Sequence, residues 1–310
     1  MLQRPWFTPI VVVFWCVTSG WLLVEKILPS LSPGSPPGYQ AIYTTADSGL
    51  IPVAWTVHWN DQPLGWAIAE SQRTALGGLL VDSRMHFDRL PLDEIMPAWT
   101  SLLVRKALPQ GGGLTFDARG RLAIDPAGDL RSFMSIVDVP GSTEQVLLNG
   151  TVDAGTVRVQ VQAGEIRYET TRHLPDRMMI GDELSPQATM PGLFEGRRWT
   201  VPIYSPLRAG GTPIEILHAE VGPEETIYWE GRLVRVHPVA YREDPASRRE
   251  PRSRLWADRT GRVLRQEALL LGAKLAFVRR SDEAAARLAA TLAEEGRVPS
   301  ALPPSMEAVP

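Results

Sequence analysis

Alternation with a period of two constrains this chain more than any other feature of its sequence. In VAWTVHW, residues 53–59, Val53, Trp55, Val57 and Trp59 fall on one side and Ala54, Thr56 and His58 on the other. That is the pattern of a strand with one buried face. NDQPLG, residues 60–65, is turn chemistry, and WAIAESQR behind it reads as the returning strand of a hairpin. Further strands are expected over 79–90, 114–124, 133–139, 145–152, 156–162, 165–171, 199–204, 214–221, 226–241, 255–257, 263–271 and 275–279. Breaks such as DARGR, DAG, QAGE and DRTGR are read as separating them. Many short strands joined by tight turns define a mainly β chain, an antiparallel meander forming a half-barrel, barrel or sandwich that has to close or cover its edges.

Two segments depart from this pattern. Residues 97–108, PAWTSLLVRKAL, carry proline where a first helical turn tolerates it and put Trp99, Leu102 and Leu103 on one face. Residues 281–296 form the clearer C-terminal helix. Ser281 can cap it, Asp282 and Glu283 suit its positive end, and Gly296 can stop it. Its stripe of Ala285, Leu288, Ala289 and Leu292 is narrow, which suits packing on a sheet edge or an open barrel end. Four regions follow: a transmembrane signal-anchor over 1–28, a linker rich in Pro, Ser and Gly over 29–40, an extracytoplasmic antiparallel β domain over 41–296, and a disordered tail over 297–310.

The anchor is the run from Phe7 to Val24. Its length of ~18 residues gives ~27 Å of helix, enough for the hydrocarbon core of a bilayer. No Ala-x-Ala-like site follows it, so an uncleaved anchor is expected over a cleaved signal. Phe14 and Trp15 directly before Cys16 exclude a lipid attachment site, and the chain's one cysteine becomes a small apolar side chain in the membrane. Trp6 and Trp21 suit the two interfaces, Lys26 can reach the surface, and Arg4 holds the amino end in the cytoplasm. The expected location is the inner membrane, single-pass, with the C-terminal domain outside the cytoplasm.

Composition narrows the function classes. Of 310 residues, lysine appears only at Lys26, Lys106 and Lys274, so arginine carries nearly all the positive charge. A formal net charge of -3 argues against nucleic acid as a partner. One cysteine excludes an internal disulfide, leaving the packed core to stabilise an extracytoplasmic domain. His58, His86, His173, His218 and His237 are dispersed without metal-ligand spacing, so no metal and no cofactor is expected. GxSxG and SxxK are absent, and QGGGL at 110–114 lacks the Gly-Lys-Ser/Thr of a phosphate loop. Asp182 and Glu183 are the carboxylate pair nearest to acid–base chemistry, and the charged loop over 242–254 could meet an acidic partner. No catalytic residue emerges, and a role other than catalysis is expected.

One long segment stands apart. Residues 173–199 contain Met178, Met179, Ile180, Met190, Leu193, Phe194 and Trp199. Methionine's flexibility suits a surface that repacks around varied apolar ligands. The segment either plugs the barrel end with its own side chains or gates a ligand, with Met178, Met179, Leu193, Phe194 and Trp199 at the mouth of a cavity between sheet and helix.

MPGLFEGRRWTVPIYSP, then EILHAEVGPEETIYWEGRLVRVHPVAY, then a Trp-x-Asp-x-x-Gly hairpin at Trp256, Asp258 and Gly261 form an ordered set with the early hairpin. Over residues 43–281 this set resembles uncharacterised bacterial cell-envelope β domains that look like the LolA and LolB lipoprotein-localisation factors. The resemblance implies a curved antiparallel sheet with a helix lid holding lipid acyl chains. LWADRTGRVLRQE also looks like segments preceding transglutaminase-like domains, but no Cys-His-Asp set lies outside the membrane run. The expected function is a membrane-anchored β domain binding a lipid or other apolar ligand. The alternatives are a non-catalytic scaffold of an envelope complex and, less favoured, a carboxylate-based hydrolase.

Overall fold

The computed structural model describes residues 7–22, 34, 36–43, 51–90, 114–138, 145–174, 178–180, 186–204, 214–270 and 273–294. Helix α1 spans Phe7–Leu22 and a short α2 spans Tyr39–Tyr43. The strands are β1 Val53–Trp59, β2 Gln62–Arg73, β3 Leu79–Leu90, β4 Leu114–Ile124, β5 Leu130–Asp138, β6 Gln145–Asp153, β7 Thr156–Ala163 and β8 Ile166–His173. They continue as β9 Met179–Ile180, β10 Arg198–Tyr204, β11 Ile214–Val221, β12 Glu225–Trp229, β13 Arg232–Arg242, β14 Ser253–Asp258, β15 Val263–Leu270 and β16 Ala273–Arg279. Helix α3, Asp282–Glu294, ends the described chain.

All sixteen strands belong to one sheet in the order β8-β7-β6-β5-β4-β3-β2-β1-β16-β15-β14-β13-β11-β10-β9, with β12 on β13. The meander is antiparallel except where β9 joins β10 in parallel. The sheet is open, and its two ends meet by side-chain packing. Tyr204 of β10 shares a core cluster with Val157 and Val159 of β7. Trp199 and Val201, on the opposite face of β10, join a cluster with Leu255 and Val239. This single barrel-like sheet settles the fold among the forms the sequence allowed: it is neither a closed barrel nor a two-sheet sandwich.

Tight turns follow from residues that tolerate positive φ. Asn60 and Asp61, Ala154 and Gly155, and Glu230 and Gly231 take it in pairs, as two-residue hairpins of right-handed twist require. The third pair splits the expected strand over 226–241 into β12 and β13. DARGR is no break. It lies within β4, where Asp117, Arg119 and Arg121 share one face and Gly120 sits opposite Ser83 on the other.

The two faces of β1 separate as the alternation predicts. Val53, Trp55, Val57 and Trp59 pack inward with Met85, Phe87 and Phe277, while Ala54 packs outward with Ile68 against Ala285 and Leu292 of α3. Helix and barrel interior therefore lie on opposite faces of the sheet, which corrects the expectation of a cavity between them. Ser281 Oγ accepts the N–H of Ala284 (3.3 Å) at the helix start. A second outward cluster joins Trp229, Val236, Trp256 and Leu264.

Helix α1 is predominantly apolar, and its described large side chains are exposed, with Phe14 69%, Trp15 67% and Val17 64% accessible. Among the described residues no helix is both long and apolar enough to cross a membrane. Gly34, within the expected linker, bridges to Trp199 and donates its N–H to the Arg198 carbonyl (2.8 Å), so this point of the segment is seated on β10. The expected helix over 97–108, the Asp182 and Glu183 pair and the tail over 297–310 lie outside the described residues.

Candidate functional site

Part of the barrel interior is filled by the chain itself. Residues 187–190 run across it as a strap: Gln187 N donates to Gln266 Oε1 (3.0 Å), Thr189 N to Ile42 O (3.0 Å), and Met190 N to Gly261 O (2.7 Å). The Ala188 carbonyl accepts from Val263 N (3.1 Å) and from the buried guanidinium of Arg279 (3.0 Å). Met190 is fully buried and Ala188 joins the Trp55 cluster. Gly261 is held by two constraints: φ is +87°, and a Cβ there would lie 2.9 Å from the Met190 carbonyl.

Where the strap does not reach, across β4 to β8, the register fixes three rows on the inward face. The first, Val81, Leu122, Phe133, Gly150, Val159 and Thr170, is core. Phe133 lies so close over Gly150 that a Cβ there would fall 2.0 Å from its ring. The second row is Ser83, Gly120, Ser135, Leu148, Val161 and Tyr168, and only Leu148 is buried. The third runs from buried Trp55, Ala67 and Met85 through half-buried Ala118, Val137, Val146 and Ala163 to Ile166. Ile166 is 73% and Tyr168 57% exposed, though they share a face with Val159 at 1%. The inward face thus opens from packed core into a shallow apolar trough with a floor of small side chains.

At the inner end of the third row stands an uncommon polar atom. The indole Nε1 of Trp55, on a residue 1% exposed, has no hydrogen-bond acceptor among the described residues. A buried N–H without a partner costs about 1–3 kcal/mol, so a group that accepted from it would gain by that amount. The trough can therefore hold apolar matter by burial, and the Trp55 N–H lies in the packed core at its inner end.

The residues expected to form a ligand mouth are dispersed. Met178 is buried with Phe133, Val159 and Tyr204, whereas Trp199 and half-buried Leu193 belong to the opposite cluster. Met179 touches both clusters. Trp199 meets the Tyr241 ring edge-on (6.1 Å, 82°) beneath the Arg197 guanidinium (5.1 Å), and Phe194 is 62% exposed. Trp55, Ser83, Gly120, Tyr168 and Ile166 were not singled out by sequence reasoning. Aligning the consecutive hairpins by their turns would have put them in common rows.

Polar chemistry gathers on the outward face. His86 stacks on Trp66 (5.6 Å, 22°), with Nδ1 3.1 Å from Asp117 and Nε2 3.2 Å from Asp88. Arg84 also donates to Asp117 (3.2 Å). Burial pushes the Asp117 carboxyl up, but the hydrogen bonds from His86 and Arg84 outweigh it and hold it below the usual range. Both imidazole nitrogens lie within hydrogen-bonding distance of carboxylates, so the group ties β2, β3 and β4 together. Among the described residues no set of three metal-ligating side chains occurs.

Fold and site together define an open, barrel-like antiparallel β protein with a partly exposed apolar interior. No protein-family model and no curated protein matches the chain. Among solved structures, a beta-barrel-like protein of a domain of unknown function (DUF1849) from Brucella abortus is similar at 11% identity and a TM-score of 0.44, covering 75% of this chain and 97% of its own.

Proposed function

We propose that this chain is a membrane-anchored, extracytoplasmic β domain of the bacterial envelope whose inward trough binds an apolar, acyl-like ligand. The observation that carries the reading is the third row, which leaves the core at Trp55 and Met85 and emerges exposed at Ile166. An acyl chain covering roughly 300 Å² of that surface would gain about 7 kcal/mol before the costs of association. The unpaired Trp55 N–H suits a carbonyl or carboxylate oxygen on the same ligand. Anchoring draws its support from α1, whose large apolar side chains between Val11 and Trp21 are exposed among the described residues.

A scaffold role is favoured by one specific observation, the strap over 187–190 that fills the other half of the interior. Titration of the full chain in detergent with a fluorescent long-chain fatty acid separates the two readings. Saturable binding that Ser135→Phe abolishes, by filling the second row, is the expected result. No binding, or binding indifferent to Ser135→Phe, would leave the scaffold.

A further inference from the structure

Strand β8 ends the sheet, and among the described residues nothing pairs with its outer edge. We propose that this edge recognises a second copy of the same chain, through an antiparallel pairing of residues 166–170 about a twofold axis at Tyr168. The inference rests on the strand's backbone and charges, and it shares Ile166 and Tyr168 with the exposed end of the trough.

The backbone sets which residues can take part. β7 and β8 join through a two-residue turn at Gly164 (φ +57°) and Glu165, closed by Ala163 opposite Ile166. The closing pair of such a turn is hydrogen-bonded, and along an antiparallel ladder bonded and non-bonded pairs alternate. Ile166, Tyr168 and Thr170 therefore turn their N–H and C=O groups toward β7. Arg167, Glu169 and Thr171 turn theirs outward, free to bond an incoming strand. Shifts by one residue are excluded because they would oppose inward and outward faces.

The charges then choose among the remaining registers. Centring on Glu169 opposes two glutamates at the axis. Centring on Thr170 sets Arg167 against His173 and Tyr168 against Arg172. Centring on Tyr168 sets Arg167 against Glu169 twice, Tyr168 against Tyr168, and Ile166 against Thr170. Arg167 has no ion pair among the described residues, and Glu169 is held in place by Gln160 (3.3 Å) and Arg158 (3.6 Å). The same pairing covers Ile166 and Tyr168, two of the most exposed apolar side chains of the sheet. The paired stretch over 166–170 carries no proline and no bulge to block an incoming strand, and its two charges, Arg167 and Glu169, are of opposite sign.

Cross-linking with the full chain tests the register directly. In a Cys16→Ser background, Tyr168→Cys should form a disulfide-linked dimer under mild oxidation in membranes, because the axis pair is non-bonded, with Cα atoms about 4.5 Å apart. Thr170→Cys should not, since its symmetry mate lies roughly 13 Å away along the strand. Light scattering of the wild type in detergent should give twice the monomer protein mass. Arg167→Glu or Glu169→Arg alone should weaken the dimer about tenfold, and the double exchange should restore it. A monomer at every concentration overturns the proposal, as does cross-linking of Thr170→Cys in preference to Tyr168→Cys, capture of another protein in place of a second copy, or a double exchange no better than the single ones.

Discussion

At the residue scale, the β14–β15 turn shows how one buried carboxylate can hold two distant parts of the chain. Asp258 is 6% exposed and accepts from Thr260 N (2.9 Å), Thr260 Oγ1 (2.6 Å), Arg262 N (3.1 Å) and Arg262 Nε (2.9 Å). The turn it shapes presents the Gly261 carbonyl to the Met190 N–H of the strap. Asp258→Ala should cost about 3 kcal/mol in urea unfolding, since charged hydrogen bonds contribute more than neutral ones and four of them are lost together. Burial raises the carboxyl's pKa, but the bonds from Thr260 and Arg262 outweigh it and leave it below the ordinary value. A group depressed in the folded state adds stability above its unfolded pKa of about 3.9 and loses it as pH falls through the folded value. Unfolding midpoints of the wild type should therefore drop on acidification below about pH 4, and those of Asp258→Asn should drop less. Gly261→Ala is a sharper test of the strap. Positive φ and the 2.9 Å approach to Met190 both oppose it, so a loss of about 2 kcal/mol or more is expected in the same assay.

At the scale of elements, α3 adheres to the sheet by a thin contact. Ala285 and Leu292 are buried, and Leu288 and Ala289 are partly so, against Ala54, Ile68 and Trp66. Its N-terminus is fastened to a different hairpin, because the Ser281 N–H donates to Glu230 Oε1 (3.0 Å) at the β12–β13 tip. Leu292→Ala should cost about 2–3 kcal/mol and Ser281→Ala about 1 kcal/mol, both read from urea midpoints. The helix was legible in the sequence because cap, acidic first turn and apolar stripe agree, and its true docking face was visible in Ala54, which alternation put opposite Trp55. Strand positions were legible wherever alternation ran between turn residues, as in β3 and β4. The β12–β13 break was hidden because Glu230 takes positive φ, which few glutamates do. DARGR misled for the opposite reason: Asp, Arg and Gly suggest a turn locally, yet the glycine answers the Ser83 side chain across the sheet, only 2.6 Å from where its Cβ would be. The methionine-rich segment gave a site by composition, but burial is decided by partners far along the chain, which sent Met178 and Trp199 to different clusters.

At the scale of the whole molecule, one open sheet brings its two ends together by side-chain packing. Its ends grip through Tyr204, Val157 and Val159, and the strap fills the interior beneath β13 to β16, while the rows across β4 to β8 lose cover toward Ile166. On the proposed reading, that exposed surface takes the ligand while the strand pairing holds the fold. Trp55→Phe should leave the fold intact and weaken a ligand that carries an oxygen acceptor by about fivefold to tenfold, with little effect on a pure hydrocarbon. The most direct measurement is native mass spectrometry of the full chain extracted from membranes, wild type beside Ser135→Phe, with melting curves of both. The expected result is a lipid-sized adduct on the wild type that is absent from Ser135→Phe, with Ser135→Phe still melting cooperatively and no more than a few degrees lower, as loss of a stabilising ligand requires. A wild type free of any adduct, or a Ser135→Phe protein that retains it in full, would overturn acyl binding in the trough.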